Sequence, residues 1–124
     1  MTSFNIPLSL IFAHWLGDWA LQSDRMALGK SKSWLILLEH VSVVSLILLL
    51  WFLWFFAFEP TVHLVDWFKW VGLNFAAHLI TDALTSRLNA RLWQAEQRHY
   101  FFVSIGFDQF LHYTAYAIIL RYLA

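Results

Sequence analysis

The chain has 124 residues, of which 60% are hydrophobic, 19% aromatic and only 13% charged. A typical soluble domain is less apolar than this and cannot bury so many large side chains. Eight basic and eight acidic residues give a formal net charge of zero, which argues against a nucleic-acid partner, and the absence of cysteine excludes disulfides and thiolate metal sites. The composition predicts an integral membrane protein.

Four apolar stretches predict an all-α, four-helix membrane bundle that forms a single transmembrane domain over residues 1–124. The stretches cover about residues 4–21, 34–58, 62–84 and 100–123. Each approaches the roughly 20 helical residues that a bilayer core requires. The stretches are too long for strands and lack an alternation with period two. Pro60 predicts a turn between the second and third helices.

The basic residues predict the orientation of the bundle. Six of the eight lie in the first and last connections, namely Arg25, Lys30, Lys32, Arg87, Arg91 and Arg98. The positive-inside rule places both connections in the cytoplasm and both termini outside. Residues 85–99 have helical spacing and predict an amphipathic cytoplasmic segment, either an extension of the third helix or an interfacial helix. We therefore expect a multi-pass protein of the cytoplasmic (inner) membrane.

Three of the predicted helices contain a histidine and an aspartate four positions apart, and the second helix contributes a further histidine. Residues at this spacing share one face of a helix. In an antiparallel bundle their depths agree, so all of them can meet in the cytoplasmic half. The seven residues are His14, Asp18, His40, His78, Asp82, Asp108 and His112.

These seven side chains predict a metal centre. Four imidazoles and three carboxylates are costly to bury as bare polar groups. Neutral histidine nitrogens and ionised aspartate oxygens are ligands of zinc, manganese and iron. Seven ligands exceed the number that one zinc ion uses, so we expect two divalent ions with a bridging aspartate.

Other interpretations of the same residues remain open. Each His–Asp pair can be a hydrogen-bonded tie between helices, as in a structural or phage-type membrane protein without metal. A non-enzymatic metal- or ion-binding bundle, or one that translocates protons or ions, uses similar residues. Gln22, Asn74 and Gln109 are expected to orient metal ligands, although helix–helix hydrogen bonds explain them equally well. Gly17 removes bulk beside Asp18, where another helix or an ion must come close.

The segments "AHWLGDWALQSDRMALGKSK", "EH", "HLITDAL" and "FDQFLH" resemble the pattern H-x-x-G-D-x-x-x-Q, H, H-x-x-x-D and D-Q-x-x-H. This pattern belongs to a small bacterial and phage membrane family catalogued as domain of unknown function 3307. The resemblance extends from Ile11 to the last helix, and it implies a membrane bundle with its polar centre at the same seven residues. The chain is more distantly similar to inner-membrane metal-dependent hydrolases, without their extra arginine- and histidine-rich signature.

Together these features predict a membrane-embedded, metal-dependent hydrolase acting on a lipid or lipid-linked phosphoester at the cytoplasmic face. The ions would activate a water and polarise a phosphoryl or acyl oxygen. Glu39, or one of the three aspartates, is the expected general base. Arg25 and Arg87 are expected to hold a substrate phosphate. The expected partners are membrane lipid and such a substrate, and an oligomer is compatible with the sequence.

Overall fold

The computed structural model describes residues 5–123, which contain five α-helices, one π-helical segment and no strand. The predicted all-α fold is confirmed. The elements are α1 (Leu8–Trp15), the π segment (Leu16–Ala20), α2 (Asp24–Gly29), α3 (Trp34–Phe55), α4 (Leu64–Gln94) and α5 (Arg98–Leu123).

The helix count and several bounds differ from the prediction. The first basic connection contains an additional helix, α2, because the Ser23 hydroxyl accepts a hydrogen bond from the Met26 amide at 3.2 Å. Residues 85–94 extend the third helix, which was one of the two predicted alternatives, since α4 continues unbroken to Gln94 and α5 begins at Arg98. The predicted first helix, 4–21, is shorter and changes from α to π at Leu16, whereas its first position lies outside the described residues.

Side-chain caps explain where the two long central helices begin. The Ser33 hydroxyl accepts a hydrogen bond from the Ile36 amide at 3.4 Å at the start of α3. At the start of α4, an Asp66 carboxylate oxygen accepts from the His63 amide at 2.9 Å. Such caps satisfy amide groups that have no partner within the first turn of a helix.

Each of the four longest helical stretches buries one stripe of residues, which has a mainly apolar end and an end that contains buried histidine or aspartate. The chain runs alternately up and down, so the apolar ends meet at one level and the polar ends at another. The apolar ends form a cluster that comprises Leu10, Ala13, Val44, Leu48, Trp51, Phe52, Trp70, Tyr116 and Ile119. We call this set the apolar plug, because it closes one end of the polar interior.

Gly17 lies where the π segment meets α3. A Cβ atom at this position would be 3.2 Å from the Val44 Cα and 3.5 Å from the Ile47 Cβ. The first of these atoms belongs to backbone, which cannot rotate away as a flexible side chain can. The expected close approach of another helix at Gly17 is therefore observed, and α3 is the helix concerned.

The outer faces of the helices carry large apolar side chains. Among the described helices, α3 alone is long and apolar enough to cross a membrane by length and composition. Helices α4 and α5 are longer than α3, but they are less apolar, and buried polar residues lie along both of them. Exposed apolar residues nevertheless occur on all four long stretches, including Leu8, Phe12, Leu35, Leu46, Trp54, Phe68, Ile80, Leu84, Phe102, Phe107, Phe110 and Ile118.

The contact at Gly17 predicts an asymmetric response to valine. Gly17→Val should lower the free energy of unfolding by about 1–3 kcal/mol, the usual cost of inserting bulk into a packed interface. Gly106→Val on α5 is the matched control, because an added Cβ there meets nothing within 4 Å. Thermal unfolding of the purified protein in mild detergent measures both effects. Equal stabilities of the two variants would contradict the packing described here.

Candidate metal centre

The structure brings all seven predicted histidines and aspartates into one buried cluster. Each of the seven residues is at most 9% exposed. Gly17 and Asp18 lie in the π segment, Leu16–Ala20, and both are buried. π-Helical turns inside helices are frequent at functional sites.

Four of these residues surround a common point. The Asp18 Oδ1 atom lies 2.9 Å from His40 Nε2 and 3.4 Å from His78 Nε2. The Asp82 Oδ2 atom lies 3.3 Å from each of the same two nitrogens. In a tetrahedral zinc site with bonds near 2.0–2.1 Å, ligand atoms are about 3.3–3.4 Å apart. Three of the four separations match this spacing, whereas the shorter one, between His40 Nε2 and Asp18 Oδ1, is a hydrogen bond. We call these four residues the tetrad.

A second group uses the other oxygen of the same aspartate. The His112 Nε2 atom lies 3.3 Å from Asp108 Oδ2 and 3.9 Å from Asp18 Oδ2. One ligand atom from each of these three residues lies within 4.8 Å of the other two, and we call them the triad. Asp18 belongs to both groups, and its two carboxylate oxygens face the tetrad and the triad respectively.

His78 carries the clearest sign of a missing partner. Its Nδ1 and Nε2 atoms are both buried and neither makes a hydrogen bond. Buried polar side-chain atoms normally have a hydrogen-bond partner. The Nε2 atom nevertheless faces two carboxylate oxygens at 3.3 and 3.4 Å. A divalent cation between the Nε2 atom and these two oxygens would be bound by all three atoms, so the residues of the tetrad fit a metal ion chemically.

His14 was predicted as a ligand, but the structure leaves it outside both groups. Its Nε2 atom donates to the Gln109 Oε1 atom at 2.7 Å, and its Nδ1 atom accepts from the Tyr116 hydroxyl at 2.7 Å. Both ring nitrogens are therefore used in hydrogen bonds. His14 still lies against the cluster, since its Nε2 atom is 3.4 Å from Asp18 Oδ2.

Gln109 lies at the centre of a network that fixes the carboxylates, as was expected of an orienting residue. Its amide nitrogen donates to Asp108 Oδ2 at 3.0 Å and approaches Asp18 Oδ2 at 3.5 Å. Thr85 donates from its hydroxyl to Asp108 Oδ1 at 2.6 Å. The sequence prediction missed Thr85, although its position three residues after Asp82 places it near the same helix face.

Two other expected orienting residues do not contact the cluster. Asn74 donates from its amide nitrogen to the Trp70 carbonyl at 2.9 Å, and its Oδ1 atom is buried without a hydrogen-bond partner. Gln22 lies beside the cluster in the cavity described below, and its Oε1 atom is also buried without a partner.

The predicted general base and both predicted substrate-binding arginines lie elsewhere. Glu39 is exposed and forms an ion pair with Arg25 outside the cluster. Consecutive residues on an α-helix point about 100° apart, so Glu39 faces outward where His40 faces inward. Arg87 lies 4.2 Å from the Trp34 ring centre and donates to the Ala83 carbonyl at 2.8 Å. None of the three lines the cavity that leads to the cluster.

A cavity of about 600 Å³ opens onto the cluster. Asp18, Asp108 and Gln109 form its polar base, and Lys30 and Lys32 lie on its wall. The sequence did not single out Lys30, yet its ammonium group lies 3.0 Å from Asp82 Oδ2 and its side chain is only 19% exposed. The cluster is thus reached from the end of the molecule that carries both basic connections.

Comparison with known families agrees with the motif pattern. Residues 6–124 match the family described as protein of unknown function (DUF3307). The chain belongs to this family. The matched range includes all seven residues of the DUF3307 polar cluster, and the family description assigns no reaction. No curated protein and no solved structure matches the chain.

The hydrogen bonds of His14 predict the effect of removing one hydroxyl. Tyr116→Phe leaves the buried His14 Nδ1 without a partner, which should lower the free energy of unfolding by about 1–3 kcal/mol. Tyr122→Phe is the control, because that residue is 67% exposed. Thermal unfolding compares the two variants. A Tyr116→Phe protein as stable as the control would show that His14 does not depend on this hydrogen bond.

Proposed function

We propose that this protein is a membrane-embedded, metal-dependent hydrolase that acts on a lipid or lipid-linked phosphoester. The observation that carries the proposal is the arrangement of the tetrad and the triad, which share Asp18 at the base of a cavity. Divalent ions at such a site activate water and polarise a phosphoryl oxygen.

The two ligand groups suit two different tasks. Four protein ligands complete a tetrahedral shell, which is typical of structural zinc, whereas three protein ligands leave a position open for water or substrate. The tetrad would therefore hold the more firmly bound ion. The triad would hold the reactive one, since Asp18 and Asp108 both line the cavity.

Of the expected candidates for the general base, Glu39 and the three aspartates, we favour Asp108. A general base has to reach the water from which it takes a proton. Asp108 lines the cavity, and Thr85 and Gln109 hold its two oxygens at 2.6 and 3.0 Å. Glu39 is exposed on the outside of α3. In this proposal His14 acts through Gln109 and orients the carboxylates.

The distribution of polarity supports a position in a lipid bilayer. Large apolar side chains are exposed on all four long stretches, whereas histidines and aspartates fill much of the interior. Soluble proteins rarely expose extended apolar surface, and ionisable residues of membrane helices typically face the interior of a bundle. On the positive-inside rule, the end that carries the basic connections and the cavity would face the cytoplasm.

The apolar plug favours a hydrolase over an ion-conducting bundle. A conducting pathway needs polar groups or water on both sides of a central site. On one side of the cluster lies the cavity, but on the other lie Trp70, Leu10 and Leu48, each at most 1% exposed. An interior that is closed at one end suits a binding or catalytic site.

The proposal predicts how much metal each variant retains. Wild-type protein should retain about two divalent ions per chain, the number that the tetrad and triad accommodate. Asp108→Asn should weaken the triad alone and leave about one ion, whereas Asp18→Asn should weaken both groups. Metal analysis of protein purified in mild detergent measures these contents.

Asp24→Asn is the matched control for the metal measurements. Asp24 is exposed on α2 and belongs to neither group. The control should therefore retain the wild-type content. A wild-type protein without metal, or equal contents in wild type and Asp18→Asn, would overturn the proposed metal centre.

The proposed orientation predicts the result of labelling experiments. Single cysteines introduced at Lys32 and Arg91 should be shielded from a membrane-impermeant thiol reagent in intact cells, because the basic connections are expected in the cytoplasm. A cysteine at Thr61, in the opposite connection, should react. The chain has no native cysteine, so no background needs to be removed. The reverse labelling pattern would place the cavity on the outer side and contradict a cytoplasmic substrate.

A further inference from the structure

The cavity wall carries two cationic side chains, Lys30 and Lys32, which follow α2. Arg25 and Arg87 have partners outside the cavity. The lysines balance the two carboxylates at the cavity base, which belong to the proposed ligand groups. With divalent ions held by those groups, the lysines would make the cavity positive and suited to an anionic ligand.

Lys30 differs from an ordinary surface lysine because it reaches into the cluster. Its ammonium lies 3.0 Å from the Asp82 oxygen that also faces His40 and His78. A cation bound at the tetrad would compete with this ammonium for the negative charge of Asp82. The four-carbon stem of lysine would then let the ammonium turn to another anion in the cavity.

Apolar side chains form much of the remaining cavity wall. They come from the π segment, from α2 and from the facing parts of α4 and α5, and include Trp19, Leu28, Trp93, Phe101, Phe102 and Ile105. Phe102 is 65% exposed and Leu28 is 72% exposed, so the wall continues to the outer surface. A small hydrophilic anion would leave this surface unused.

From these features we propose that the cavity binds a phosphate monoester with an apolar chain, and that Lys30 and Lys32 hold its phosphate. The apolar chain lies against the wall formed by Trp93, Phe102 and Ile105. The inference rests on the proposed function and names the substrate class of that site. It assigns recognition of the phosphate to residues near the end of α2, and recognition of the ligand's apolar chain to α4 and α5.

Binding of a non-hydrolysable probe tests this assignment on the full-length protein in a nonionic detergent. Octylphosphonate and methylphosphonate share the head group and differ in chain length. Isothermal titration calorimetry with zinc-loaded protein should give at least about tenfold tighter binding of octylphosphonate, since buried methylene groups each contribute to affinity. Inorganic phosphate should bind no better than methylphosphonate.

Charge removal tests the role of the lysines. Lys30→Met and Lys32→Met should each weaken octylphosphonate binding by about tenfold or more, the value of a hydrogen bond to a charged group. Lys30→Arg should restore most of the affinity. Lys69→Met is the matched control, because Lys69 lies 5.7 Å from the Tyr122 ring centre, away from the cavity. Lys32→Met keeps the test decisive if loss of the Lys30 ion pair impairs folding.

The outcomes separate this inference from the metal proposal when metal content is measured on the same samples. Unchanged octylphosphonate affinity in both lysine variants would overturn the head-group assignment, even if the wild type holds two ions. Equal affinities for octylphosphonate and inorganic phosphate would overturn the proposed contact between the ligand's apolar chain and the cavity wall. Lysine-dependent binding of octylphosphonate by a protein without metal would support the ligand class and remove the hydrolase.

Discussion

The polar interior depends on the Asp18 carboxylate, which the tetrad and the triad share. One of its oxygens faces the two histidines of the tetrad, and the other faces His112 and the Gln109 amide. The π segment and the close contact of Gly17 with α3 keep this carboxylate buried. Local backbone geometry in the first helical stretch thus determines how side chains from the other three stretches are arranged.

The convergence of seven residues was predictable because two simple rules fix it. Helical periodicity places residues four positions apart on one face, and alternating chain direction places those pairs at a common depth. Neither rule depends on the rotamers of the side chains. The contacts of His14 with Gln109 and Tyr116 do depend on rotamers and on the rotation of α1 against α5. Spacing therefore placed His14 beside Asp18, but it did not indicate the hydrogen bonds with Gln109 and Tyr116.

The side-chain positions of residues that are close to the cluster residues in sequence were harder to predict. Arg87 follows Asp82 by five positions, which turns it about 140° away around the helix axis. It packs on Trp34 instead of facing the cavity. Lys30 lies at the end of a short helix in a connection. The hydrophobic pattern there does not indicate in which direction its side chain points. Its contact with Asp82 requires α2 to lie over the cluster, and the sequence pattern does not contain that arrangement.

The apolar plug has a consequence for the order of events at the cluster. Trp70 packs on Phe52 with ring centres 5.3 Å apart, and its indole nitrogen donates to the Leu48 carbonyl at 3.0 Å. Within the described part of the chain, these contacts leave the cavity as the approach to the cluster. A molecule that reacts there has to depart through the opening by which it arrived. For the proposed hydrolase, an anionic product that stays in the cavity would therefore act as a competitive inhibitor.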